Sequence, residues 1–227
     1  MPARTKPRIS LRKAPQQARS AQLVADILEA AIHVLTRDGA RRFTTARVAE
    51  RAGVSVGSVY QYFPNKEAIL FRLQVDEWTR TSAVLRAILT DRSHPPEQRL
   101  RTLVDTFLRT EREEASLRAA LDDAAPLYRD APEAVAMETH GTRMFTTFLG
   151  ELMPDAPRRE RAVMAEMITT VMGAVGDSVT TDHSDADVAR KAAILGDMFC
   201  GYFAAKGRPS PDDGRHGRRT ADIAPRR

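Results

Sequence analysis

Between Thr44 and Lys66 the sequence reads TTARVAERAGVSVGSVYQYFPNK. Within it Val56, Gly57, Ser58, Tyr60, Gln61 and Tyr62 offer two phenols, a hydroxyl, an amide and no charge. With Val59 and Phe63 turned inward, these six positions lie near or on the outer face of one short helix. A surface facing only water has little use for two tyrosines and no charge; the major groove of a duplex has. Gln61 can pair in bidentate fashion with adenine, Val56 can touch a thymine methyl, and Gly57 lets the backbone come close. Ser58, Tyr60 and Lys66 suit phosphate oxygens, as do the hydroxyls of Thr44 and Thr45 with the N-terminal end of their helix. Each residue taken alone has a plainer reading: the tyrosines as half-buried packing residues, Gln61 as a solvated amide. Taken as a set they point to nucleic acid.

The elements that would hold this face can be read from its surroundings. Leu23, Ile27, Ala30, Ala31 and Val34 recur at helical spacing and give a first helix ending near Asp38 and Gly39. Phe43 follows as a core anchor, and Thr44-Thr45 offers a hydroxyl cap to a second helix running through Ala52. Gly53 supplies the positive φ of a tight turn, Ser55 caps a third helix, and Pro64 stops it. Ala49 precedes Gly53 by four positions and Val59 by ten. That is the spacing of a helix-turn-helix, whose helices cross so closely that only a small side chain fits at Ala49 while Val54 and Val59 fill the wedge. A long helix then runs from near Asn65 towards Leu89. Beyond Ser93-His94-Pro95-Pro96 the pattern predicts helices over 96–112, 116–125, 132–153, 157–179 and 185–205. Nowhere do β-branched and aromatic residues alternate, so the expected class is all-α.

The net charge of +5 is unevenly spread. Arg4, Lys6, Arg8, Arg12, Lys13 and Arg19 crowd the start with no acid among them, the tail from Lys206 is again basic, and in the long middle acids outnumber bases. This calls for an anionic partner at the N-terminal end, either nucleic acid or a membrane surface. No apolar run approaches the roughly 20 residues that span a bilayer, and the start lacks the apolar stretch of a secretory signal. A lone cysteine, Cys200, fits a reducing compartment and reads as a small core residue. A cytoplasmic protein is expected. The five histidines show no metal-ligand spacing, and His183 with Asp182, Asp185 and Asp187 reads as a polar loop capping the last helix. Glu111, Glu113 and Glu114 read as a solvated face. No phosphate loop, nucleophile elbow or paired catalytic set appears, so neither an enzyme nor a cofactor nor a metal is expected.

The run GARRFTTARVAERAGVSVGSVYQYFPNKEAIL resembles the DNA-binding domain of the TetR family of bacterial repressors, over about residues 20–70. The resemblance implies a three-helix helix-turn-helix domain, a long helix joining it to a larger helical ligand-binding and dimerisation domain, and a homodimer on a palindromic operator. By position, Thr45, Ser58, Tyr60 and Lys66 fall on the family's phosphate contacts, and Val56, Gly57, Gln61 and Tyr62 on its base-reading positions. Ser55 joins the DNA-facing set through its cap. The expected divisions are a disordered basic arm over 1–18, the DNA-binding domain over 19–66, the ligand-binding and dimerisation domain over 67–206, and a disordered tail over 207–227. The function so implied is a repressor released by a small apolar effector; the alternative is a constitutive DNA-binding protein without a ligand.

Candidates for the effector's lining are Trp78, Phe107, Tyr128, His140, Met144, Phe145 and Phe148, because such pockets are mostly apolar with a few polar groups. Two apolar stripes, Val163, Met167, Val171, Val175 and Val188, Leu195, Phe199, Tyr202, suit pairing with a second copy, or else close the chain's own core.

Overall fold

Thr44, Ser55 and Asn65 each adopt an extended backbone and accept an amide three residues on, from Arg47, Ser58 and Ala68 respectively. Each such cap satisfies one of the orphan N–H groups of a helix start and stabilises it by about 1 kcal/mol. In the computed structural model these caps open α2 (Thr45–Ala52), α3 (Val56–Tyr62) and α4 (Lys66–Thr90). The structure describes residues 9, 10, 12, 18–128, 130–131 and 144–206. Ahead of these helices lies α1 (Ala18–Arg42), and after them come α5 (Pro96–Glu113), α6 (Ala115–Ala124) with a 3-10 turn (Ala125–Leu127), α7 (residues 144–152), α8 (Arg158–Asp177) and α9 (Asp185–Lys206). No strand occurs among the described residues, and the protein is all-α. The tail over 207–227 and most of the basic arm lie outside the described residues.

Gly39, at φ 74° and ψ 168°, breaks α1 where the sequence puts a stop, yet one more turn follows, running to Arg42. That turn sets Ala40 and Phe43 into the core. Gly53, at φ 67°, closes α2 by donating its N–H to the carbonyls of Ala49 and Glu50.

Two apolar cores result. One gathers Ile27, Leu35, Phe43, Phe63, Ile69 and Leu70 from α1 to the first half of α4, and takes in Leu121 and Ala124 of α6 with Tyr128. The other gathers Leu85 and Leu89 at the far end of α4 with Leu100, Leu103, Leu108, Leu149, Ile168 and Leu195 from α5, α7, α8 and α9. Helix α4 therefore has one end in each. Arg99, almost fully buried, fastens the second core: it donates to the Leu89 carbonyl, pairs with Glu151 of α7 and lies 5.2 Å over the Phe148 ring.

Candidate nucleic-acid interface and internal cavity

The crossing of α2 and α3 is tight. Val48, Ala49 and Val59 are fully buried, and the Val54 N–H donates to the Ala49 carbonyl at 3.0 Å. With Val59 and Phe63 facing inward, Val56, Gly57, Tyr60 and Gln61 stand exposed, and Ser58 is half-buried. The Tyr60 hydroxyl meets the Thr45 hydroxyl at 3.2 Å, so α3 and the start of α2 present their oxygens together. Thr44 and Ser55 are exposed, while Thr45 and Lys66 are half-buried. Ser55 Oγ accepts from the Ser58 N–H at 3.0 Å and meets Ser58 Oγ at 2.8 Å.

Tyr62 corrects the sequence reading. It was expected on the outer face and is only 6% exposed, packed into the N-terminal core. Three positions on from Val59, it shares that residue's inward side. In a helix of seven residues the outer face is correspondingly narrow.

Gly57 has space around it. A Cβ there would meet nothing nearer than Ser55 Oγ at 3.6 Å, an ordinary contact. Among the described residues nothing demands glycine at this point.

A cavity of about 320 Å³ opens between α4, α5, α6, α7 and α8. Trp78, Phe107, Met144 and Phe145, four of the residues singled out in the sequence, line it together with Leu85 and Met172. Tyr128 and Phe148 do not. Tyr128 tilts against Phe71 at 5.8 Å within the N-terminal core and donates its hydroxyl to Gln74 Oε1 at 3.2 Å. Phe148 is taken up beneath Arg99. His140 lies outside the described residues.

The other wall of the cavity is charged: Glu77, Glu111, Asp122 and Asp177 face the single guanidinium of Arg118. Arg118 pairs with Glu77 at 2.6 Å, Glu111 at 3.1 Å and Glu114 at 3.5 Å. Thr81 donates to Glu77 Oε1 at 3.1 Å, and Gln74 to Glu77 Oε2 at 3.3 Å. Burial raises the carboxyls of Glu77 and Asp122, and it pushes Glu111 up to about 7 against the pull of Arg118. Here too the sequence reading needs correcting. Glu111 is 7% exposed, not part of a solvated face. Its position after Leu100, Leu103, Val104 and Leu108, at the spacing of the buried side of α5, was the available signal. Gly176 of α8 makes room for it, since a Cβ there would stand 3.0 Å from Glu111 Cγ and 3.0 Å from Phe107 Cε1.

The apolar stripes of the last two helices divide differently from expectation. Val188 and Leu195 are buried in the protomer's own core, with Phe199, Val171 and Val175 packed against it. The outward positions are Val163 and Met167 on α8 and Ile194, Met198 and Tyr202 on α9, with Met198 63% exposed. Among the described residues no cluster of three or more His, Cys, Asp or Glu is arranged to hold a metal, and no helix is long and apolar enough to cross a membrane. His183 is engaged inside its own loop, where its Nδ1 accepts from the Thr180 N–H at 3.2 Å.

Residues 27–73 match the family described as bacterial regulatory proteins, tetR family, and residues 95–205 match a tetracyclin repressor-like C-terminal domain. The chain is 30% identical over 146 residues to the HTH-type transcriptional repressor KstR of Mycolicibacterium smegmatis, covering 64% of this chain and 70% of that one. To the repressor of the same name from Rhodococcus jostii it is 24% identical over 176 residues, 77% of this chain and 81% of the other. Among solved structures, the fatty acid degradation regulator FadR of Bacillus halodurans superposes with a TM-score of 0.62 at 19% identity, covering 84% of this chain and 97% of that one. The TetR family repressor AlkX of a Dietzia strain, implicated in biodegradation of n-alkanes, gives 0.54 at 19% identity, with 79% and 97% covered. At these identities the structural likeness speaks for the fold alone.

Proposed function

The chain belongs to the TetR family of bacterial transcriptional regulators, and we propose that it is a ligand-responsive repressor which binds a palindromic operator as a homodimer. The observation that carries this reading is the outer face of α3. Val56, Gly57 and Gln61 stand exposed without a charge among them, beside the Thr45–Tyr60 hydroxyl pair. Gln61 and Val56 would read base edges, Gly57 would let the backbone approach, and Thr44, Thr45, Ser55, Ser58, Tyr60 and Lys66 would hold phosphates. Two such helices entering successive major grooves require a dimer. The exposed stripe of Val163, Met167, Ile194, Met198 and Tyr202 supplies a surface for it. A cytoplasmic regulator without catalytic activity fits this reading.

The effector would occupy the cavity beside Trp78, Phe107, Met144 and Phe145, where an apolar body finds aromatic and thioether contacts. Helix α6 would transmit its arrival. Arg118 stands in the cavity wall, while Leu121 and Ala124, about one and two turns on, sit in the core beneath the helix-turn-helix. An effector that binds better when α6 and α4 are displaced would draw the two reading helices off their spacing, whereas equal affinity for both states would shift nothing.

Selection of bound duplexes from a random pool tests the reading. A two-fold symmetric sequence is expected. Enrichment of none, or of an asymmetric half-site only, would overturn it. Release of that sequence by some member of a panel of fatty acids, alkanols and sterols is expected too; operator binding indifferent to every member would favour the constitutive DNA-binding alternative.

A further inference from the structure

Like any helix, α3 leaves the carbonyls of its last turn without partners of its own. In an α-helix the carbonyl of residue i accepts from the N–H of residue i+4. For Tyr60 that residue is Pro64, which has no N–H to give. The Tyr60 carbonyl, one of those that a helix end leaves open, therefore has no such donor in the chain that follows.

Arg12 of the N-terminal arm reaches two of the carbonyls at this helix end. The backbone N–H of Arg12 donates to the Tyr62 carbonyl at 2.9 Å, and its guanidinium reaches the Tyr60 carbonyl at 3.5 Å. The second contact is long, and the first carries the weight. Three residues earlier Ile9, only 3% exposed, is buried in the N-terminal core with Phe63 and Tyr62. An apolar anchor and a backbone donor thus hold the arm against the open end of α3, where a positive side chain also has the favourable sign.

We propose that Ile9 and Arg12 form a clasp that fixes the last turn of the reading helix, making them positioning residues for sequence recognition. This rests on reading α3 as the DNA-reading helix. The arm's five basic side chains then have a second role besides attraction to phosphate, and that role is separable from charge. An unclasped α3 would fray where Gln61 and Tyr60 sit, so discrimination between sequences would suffer while attraction to any duplex persisted.

Ile9→Ser separates the two, because it unseats the anchor and keeps every charge. In the full chain, the ratio of affinity for the selected operator over an unrelated duplex of equal length is expected to fall about tenfold, the scale of one lost hydrogen bond with its ordering. The slope of log K against log salt should stay unchanged. Amide exchange of Phe63, whose N–H closes the last turn on Val59, should quicken in the free protein, as it should when residues 2–12 are deleted. An unchanged ratio and unchanged exchange in both proteins would overturn the clasp. So would a deletion that weakens all duplexes alike with a flatter slope while Ile9→Ser does nothing, because the arm would then be only an electrostatic tether. Faster exchange together with an unmodified protein that prefers no sequence would uphold the clasp and count against the DNA-reading function instead.

Discussion

Arg118 of α6 donates to Glu77 of α4 across 2.6 Å, and among the described residues it is the only cation lining the cavity. One guanidinium thus ties together α4, α5 through Glu111 at 3.1 Å, and the start of its own helix through Glu114. Burial nevertheless leaves the Glu77 and Glu111 carboxyls raised, so the pairing offsets only part of the cost of removing these charges from water.

Arg118→Met should therefore be strongly destabilising. Breaking a buried pair by removing one partner costs about 3–5 kcal/mol. The loss should be larger at pH 8 than at pH 5.5, where Glu77 and Glu111 can take up protons and shed the unpaired charge. Urea unfolding followed by circular dichroism at the two pH values measures it, and an equal loss at both would contradict the network described.

Glu111→Gln should act in the opposite direction. A carboxyl raised to about 7 in the folded protein, against an ordinary 4.5, binds its proton more tightly folded than unfolded. Its contribution is therefore fully present below about pH 4.5 and is lost as pH rises through 7. Replacing it should raise the melting temperature at pH 8, by up to about 2–3 kcal/mol in stability terms, and flatten the pH dependence between 5 and 8. Calorimetric scans across that range would show it.

Gly57→Ala should fold as well as the parent or slightly better, since the new methyl meets only Ser55 Oγ at an ordinary distance and alanine favours helix. Operator binding should nonetheless fall by about tenfold or more, because the methyl stands where the backbone would approach the groove. Undiminished operator binding would remove Gly57 from the reading face.

Gln61→Ala should cost about 1–3 kcal/mol per half-site at the preferred operator and relax the preference at one base pair. Binding to a panel of single-base operator variants provides the measure. An unchanged ranking would shift the reading role to Val56 and Gly57.

Met198→Glu places a charge on the exposed stripe without touching the protomer's core. Light scattering should then report a monomer that still melts cooperatively, with operator affinity lost. A stable dimer in this variant would place the contact between copies elsewhere.

Much of the molecule could be read from local chemistry. Thr44, Ser55, Asn65 and Gly53 mark helix ends by what their own side chains or dihedrals do, and the structure puts all four at those ends. The exposure of Val56, Gly57, Tyr60 and Gln61 was legible for the same reason. What escaped depends on partners distant in sequence. Tyr62 could be placed either way until it was known that the N-terminal core reaches it. Val188, Leu195 and Phe199 announce an apolar stripe, but α9 carries a second one, Ile194 and Met198, and only packing against α5 decides which is covered. The charged cavity wall assembles from α4, α5, α6 and α8, so no single segment displays it.

Leu121, Ala124 and Tyr128 belong to the same apolar core as Phe43 and Phe63. The N-terminal fold is therefore discontinuous along the chain, and no single cut releases it whole. A fragment ending after α4 would keep every residue of the helix-turn-helix and lose one wall of the core that supports it, since α6 packs against α1. Borrowing this helix-turn-helix for a chimaera would mean bringing α6 with it, or repainting the face of α1 that α6 now covers.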